Sequence, residues 1–188
     1  MYNIAVIVGS LSAHSINRKL AEGLMDMGRE LFAWNMLSLQ HVPLLNQDME
    51  ADLPASVRGL KDAVAGADGV LLVTPEHNRQ MPAVLKNAVD WCSRPYGRGQ
   101  WMGKPLAITG ISPGAVGTAV AQAQLRALLS LLGGIVMPFP EVCLAAKPGF
   151  FDTSGALADE STRSFLMGFL NSFARWIAAH PAAKASQS

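Results

Sequence analysis

The feature of this chain that most constrains its fold is an alternation. Apolar runs of strand length are separated by stretches in which apolar residues return every three or four positions. A strand buried on both faces reads as a continuous apolar run, and parallel strands need crossovers long enough to hold a helix. The first run, Asn3 to Val8, gives way to a polar turn from Gly9 to Ser15 and then to Leu20, Leu24 and Met27 on one helical face. A second strand is expected over Glu30 to Leu37, a long surface loop over Ser38 to Leu53, and a helix carrying Val57, Leu60, Val64 and Ala67. Gly69 to Val73 is the clearest buried strand, and Pro82 suits the first position of the helix that runs through Leu85, Val89 and Trp91 to Arg94-Pro95. Pro105 to Ile111 is a fourth strand, and Val120, Gln124, Leu128 and Leu131 mark a helix closed by Gly133-Gly134. Ile135 to Phe139 is a short fifth strand. The last helix spans Ala158 to Ala179, with Phe165, Phe169, Phe173 and Trp176 on one stripe. Five strands alternating with five helices predict an α/β protein: a doubly wound, five-stranded parallel sheet with helices on both faces.

Bulk properties bound the partners. With 188 residues, 50% of them hydrophobic, one domain over 1–180 can bury a sizeable core, leaving 181–188 as a frayed tail. A net charge of +1 with scattered basic residues gives no footprint for nucleic acid. No apolar run approaches bilayer length, and Gly9-Ser10 ends the first apolar segment too early for a signal peptide. Cys92 and Cys143 lie far apart without CxxC spacing, so neither a zinc cluster nor a disulfide framework is indicated; a reducing cytoplasm is the expected home. The expected partner is a small molecule.

In an open parallel sheet, ligands bind beyond the carboxyl ends of the strands, where neighbouring connections leave in opposite directions. That focuses attention on the loops after strands one, three and four. The first carries hydroxyls at Ser10, Ser12 and Ser15, with Ile16 and Asn17 opening the helix behind it. A phosphate there would meet free N–H groups and the positive end of the helix dipole. The plainer reading is that Ser15 caps the helix and the other serines shape a turn. Neither G-x-x-x-x-G-K-[ST] nor G-x-G-x-x-G follows the first strand, which removes the P-loop and the standard dinucleotide fold. Gly9-Ser10 and Thr74-Pro75 stand where a phosphate-accepting receiver would need acidic residues.

The second loop, Thr74-Pro75-Glu76-His77-Asn78-Arg79-Gln80-Met81-Pro82, followed by Leu85-Lys86-Asn87-Ala88-Val89-Asp90-Trp91, closely resembles a segment of the NADPH-dependent FMN reductase family. The first loop resembles that family's G-S-L-R-x-x-S-x-N phosphate loop, and the likeness extends through Gly110 to Gly117. The resemblance implies a flavodoxin-like fold that binds FMN and takes electrons from NADPH or NADH. They would pass to a flavin, quinone, azo dye or chromate. It implies that Ser10, Ser15 and Asn17 hold the FMN phosphate, and that Pro75, Glu76, His77, Asn78 and Arg79 line the isoalloxazine edge. Ser112, Gly114 and Gly117 of the third loop would approach the ring, and the enzyme would be a homodimer or homotetramer. Three positions depart from the family: Ser12 replaces Arg, His77 replaces Tyr and Gln80 replaces Ser.

Other residues carry ordinary readings beside the functional ones. His77 reads as an exposed loop residue first and a ring beside the flavin second. Glu76 reads as a solvated or paired carboxylate before a general acid. Lys86 and Asp90 have the spacing of a helical ion pair. Trp91 and Trp101 read as core or subunit-contact residues, and Cys92 as packing. His14 faces solvent, and His41 and His180 lack metal-ligand spacing. The rival functions are a flavodoxin-type electron carrier, which strong negative charge and aromatic residues in the second loop would favour, and a binding module without redox activity.

Overall fold

A computed structural model describes residues 1–182, so the tail expected over 181–188 lies outside the described residues from 183 onward. Strands β1 (Tyr2–Val8), β2 (Phe32–Leu37), β3 (Gly69–Val73), β4 (Pro105–Ser112), β5 (Ile135–Val136) and β6 (Val142–Ala145) are interleaved with helices α1 (Ile16–Met27), α2 (Ala55–Gly66), α3 (Ala83–Cys92), α4 (Ala119–Leu131) and α5 (Glu160–Ala179), β6 following β5 directly. The sheet is parallel in the order β2-β1-β3-β4-β5, with β6 also pairing β4. This is the flavodoxin-like order, whose direction reverses between β1 and β3.

The alternation of side chains along each strand divides the core in two. Ile4, Val6, Leu71 and Val73 face one way and pack with Leu20, Leu24, Phe169 and Phe173 of α1 and α5. Ala5, Ile7, Val70 and Leu72 face the other way, against Leu60, Val64, Leu85, Val89, Leu125 and Leu129 of α2, α3 and α4. All five residues of β3 are buried, as a central strand between two helical layers requires.

Several sequence expectations need correction. The fifth strand is broken: Ile135 and Val136 pair with Pro105 and Leu106, while Val142 to Ala145 pair with Thr109 to Ser112. Pro138 and Pro140 have no N–H to give a ladder, so the chain leaves the sheet and returns higher on the same edge. The buried stripe of α5 is rotated toward Leu166, Leu170 and Ile177. That rotation leaves Phe165 exposed and Trp176 at the rim, where its indole N–H donates to the Ile135 carbonyl at 2.8 Å. Pro82 caps α3 from an extended conformation instead of opening its first turn. Trp91 and Trp101 are both fully buried core residues. The exposed apolar side chains nearby are Tyr96, Met102 and Leu131.

Two helices borrow the cation at their carboxyl ends. None of the described helices has a basic residue in its last turn. Lys104 Nζ donates to the Ala65 and Ala67 carbonyls at the end of α2, at 3.0 and 2.5 Å. Lys61 Nζ donates to the carbonyls of Trp91, at 3.3 Å, and Arg94 at the end of α3. Burial lowers the pKa of both lysines, while the carbonyls hold the ammonium heads. Burial also pushes the Cys92 thiol up to about 12, which makes it packing material and not a nucleophile.

Candidate active site

The first loop leaves β1 at the point where the sheet order reverses. Ser15 caps α1 from an extended conformation, its Oγ accepting from the Arg18 N–H at 3.2 Å. Ser10 Oγ accepts from the Ser12 N–H at 3.4 Å, and Ser12 Oγ accepts from the His14 N–H at 3.2 Å. Each hydroxyl is thus held by one acceptor bond and keeps its own proton to donate. Among the described residues, the N–H groups of Ser10, Leu11, Ala13, Ile16 and Asn17 meet no acceptor. The result is a concentration of unused donors at the positive end of a helix.

Asn17 has a different job for its side chain. Its Oδ1 accepts from the Ile111 N–H at 3.0 Å and its Nδ2 donates to the Ile111 carbonyl at 2.8 Å, with the residue buried. β3 ends at Val73, leaving one edge of β4 without a neighbour at Ile111, and the amide takes the place of the missing strand. Only the backbone N–H of Asn17 is left to face an anion.

The second loop leaves β3 at Thr74 and closes into a two-residue hairpin. His77 N–H donates to the Gln80 carbonyl at 3.0 Å and Gln80 N–H returns to the His77 carbonyl at 2.9 Å. Between them Asn78 and Arg79 have φ of 52° and 61°, the left-handed pair of a type I′ turn. Asn tolerates that region, whereas Arg pays roughly 1 kcal/mol or more for it. Arg79 is tethered in return: its guanidinium pairs with Glu76 at 3.2 Å and its carbonyl accepts from Gln124 Nε2 at 3.1 Å. His77 is exposed, in line with its plainer reading.

Glu76 turns away from solvent to α4. Its Oε2 accepts from the N–H groups of Val120 and Ala121, both at 3.0 Å, and its side chain is 6% exposed. Thr118 precedes the helix but makes no capping bond with its side chain. A carboxylate 44 positions upstream supplies the cap. Its side chain is therefore committed to the protein, in line with the reading of a paired carboxylate.

The third loop packs against the second because of Gly110. A Cβ there would stand 2.0 Å from the Thr74 carbonyl oxygen and 2.7 Å from Thr118 Oγ1. Gly117 is required for two reasons, a φ of +59° and only 2.8 Å from a hypothetical Cβ to the Leu144 carbonyl oxygen. Gly114 has no such contact and its conformation does not demand glycine. Ser112 Oγ donates to the Gly117 carbonyl at 2.6 Å and accepts from the Gly114 N–H at 3.2 Å, so its hydroxyl shapes the loop. Between the two loops lies an open cleft of about 260 Å³, lined by Glu76, Asn78, Arg79, Ser112, Pro113, Gly114, Val116 and Gly117. A larger groove of about 330 Å³ lies between β1, β2 and α2, toward the amino ends of the strands, where this fold places no ligand.

Sequence reasoning missed two residues that build these loops. Gln124 holds the second loop from α4. Asn87 holds the strap over α3 by accepting from the Leu45 N–H and donating to the Pro43 carbonyl, both at 2.8 Å. Periodicity placed both on helices, but nothing local to either marks a bond more than 40 positions away. The ion pair expected from Lys86 and Asp90 is present at 2.7 Å.

A flavodoxin-like sheet with an anion-ready helix start beside a cleft between its second and third loops defines a nucleotide-binding α/β protein. The sequence pattern of the NADPH-dependent FMN reductases matches residues 2–149. The chain is 43% identical over 174 residues to a 2-hydroxy-1,4-benzoquinone reductase of Burkholderia sp, covering 93% of this chain and 95% of that protein. It is 41% identical over 178 residues to a quinone reductase of Pseudomonas putida, covering 94% and 95%. Among solved structures, the flavoenzyme NAD(P)H:(acceptor) oxidoreductase FerB of Paracoccus denitrificans superposes with a TM-score of 0.91 at 40% identity, covering 96% of this chain and all of that one. The chain belongs to the NADPH-dependent FMN reductase family. It is accordingly an oxidoreductase that works with FMN and NAD(P)H.

Proposed function

We propose that this reductase delivers two electrons to quinones, with FMN held across the three loops at the carboxyl end of the sheet. The observation that carries the reading is the pairing of unused N–H and O–H donors at the start of α1 with the cleft between the second and third loops. The donor set fits a nucleotide with one phosphate. Ser10, Ser12 and Ser15 offer hydroxyl protons, and Ile16 and Asn17 offer backbone N–H groups of the first helical turn. The comparable start of α4 is taken by Glu76, so no second phosphate cradle stands beside the first. That favours FMN over FAD.

FMN, when bound, supplies the hydride chemistry between the nicotinamide and the acceptor. The protein's part is to hold and polarise. Asn78 and Arg79 present backbone N–H groups without acceptors among the described residues, at the cleft where the ring edge would lie. Gly117 and the Ser112 hydroxyl keep the opposite wall thin and fixed. One open cleft serves donor and acceptor in turn, so the two substrates compete for one position. Quinones are favoured among acceptors because the relatives at 41–43% identity are quinone reductases.

A homodimer or homotetramer in the cytoplasm completes the reading. Exposed Tyr96, Met102 and Leu131 give an apolar face for self-association. No described helix is long and apolar enough to cross a membrane. The rival electron carrier is disfavoured by a net charge of +1 and by the lack of Phe, Tyr or Trp from Thr74 to Pro82. Titrating apoprotein with FMN and FAD, then measuring initial rates with NADH or NADPH against a quinone panel, tests the proposal. Tighter binding of FMN and parallel double-reciprocal lines with quinones are expected. Flavin binding with negligible NAD(P)H oxidation would instead establish the carrier.

A further inference from the structure

Three side-chain amides around the site act as substitute strands. Asn17 takes both backbone groups of Ile111. Asn87 and Gln124 each take the carbonyl of one residue and the N–H of the residue two further on: Pro43 and Leu45 for Asn87, Arg79 and Met81 for Gln124. That spacing is what a parallel strand presents to its neighbour.

Gln124 does this where the backbone has most need of it. It donates to the Arg79 carbonyl at 3.1 Å and accepts from the Met81 N–H at 3.2 Å, gripping the returning arm of the left-handed turn. The departing arm is gripped by the same helix, through Glu76 and the N–H groups of Val120 and Ala121. With His77 and Gln80 bonded to each other, the N–H groups left over are those of Glu76, Asn78 and Arg79 among the described residues, and all three residues line the cleft. The direction of those donors is therefore set by α4.

We propose that Gln124 is a positioning residue for the reductase reaction. It fixes the Asn78-Arg79 turn so that its spare N–H groups meet the ring edge that gains electron density on reduction, and thereby raises the preference of the site for reduced over oxidised FMN. The proposal rests on the reading that the flavin ring lies in this cleft. Glu76 anchors one arm by charge; Gln124 anchors the other by shape.

The test replaces the amide by an apolar side chain of similar length, Gln124→Met, with Gln124→Ala as a second variant should methionine pack badly. Arg126→Met is the control, since Arg126 lies on the same helix but bonds to the Met137 carbonyl and pairs with Glu141, away from the turn. Three measurements are made on each: amide hydrogen exchange in apoprotein, FMN affinity, and the midpoint potential of bound flavin. In Gln124→Met the Met81 amide should exchange faster. The affinity ratio of reduced to oxidised FMN should fall about ten-fold, which is about 30 mV for a two-electron couple. Arg126→Met should leave both unchanged whatever it does to melting. Equal shifts in both variants would reduce Gln124 to a structural role and overturn the proposal, as would an unchanged potential in Gln124→Met. Failure of the unaltered protein to bind FMN would instead overturn the functional reading on which the proposal stands.

Discussion

Two helices begin at the same end of the sheet, and their first turns are finished in opposite ways. α1 is capped by its own Ser15, leaving the Ile16 and Asn17 N–H groups without acceptors among the described residues. α4 has its Val120 and Ala121 N–H groups filled by a carboxylate from another loop. One helix start is left open to an anion and the other is a joint. The difference comes from what arrives in sequence just before each helix: a serine-rich turn before α1, and before α4 a glycine-rich loop whose Thr118 hydroxyl is engaged by the Gln122 amide at 2.9 Å.

Breaking the joint should have the larger effect on stability. Glu76→Ala leaves two helix-start N–H groups and the Arg79 guanidinium without their partner, a loss of roughly 2–4 kcal/mol for charge-assisted bonds in a half-buried setting. Urea unfolding of the apoprotein measures it, and a loss below about 1 kcal/mol would mean that water caps α4 equally well. Ser15→Ala attacks the other helix start. Loss of one hydroxyl bond to a charged phosphate should weaken FMN by about 1.5–3 kcal/mol, while loss of the cap costs the apoprotein about 1 kcal/mol. Flavin titration read beside apoprotein unfolding separates the two; equal effects would reduce Ser15 to a cap.

The smallest effect sharpens the comparison with a helix start whose cap is an aspartate of its own. Asp159 caps α5, and hydrogen bonds from Ser161, from the Thr162 hydroxyl and from the Thr162 N–H hold its carboxyl down to about 2. Its folded pKa lies below the unfolded value of about 4. The stabilisation is therefore fully present above that value and lost as the pH falls toward 2. Melting of wild type and Asp159→Asn between pH 6 and pH 2 should converge at the acid end. A gap that persists at pH 2 would assign the effect to something other than the carboxylate.

The fold was legible wherever local pattern is enough. Gly69–Val73 matches its expected span because a strand enclosed on both faces must be apolar throughout. The Gly133-Gly134 stop follows α4, with Gly133 at a φ of +81°. β6 escaped because its four residues follow two prolines and gain strand geometry only by pairing with β4. In the candidate site, the loops and the Ser15 cap could be read from the sequence. The commitments of Asn17, Glu76, Asn87 and Gln124 could not, since their partners lie between 42 and 94 positions away. A side-chain amide that replaces a strand leaves no periodic trace.

The borrowed lysine caps have a consequence for how substrates arrive. The chain carries 15 basic against 14 acidic residues, but Lys61 and Lys104 keep their ammonium heads on inward carbonyls, and Glu76 is turned in as well. What faces the solvent is close to balanced. A dinucleotide bearing several negative charges therefore feels little long-range pull from this protein, and its encounter rate is that of nearly neutral bodies. Added salt has little steering to screen, so discrimination between the two nicotinamide donors falls to short-range contacts.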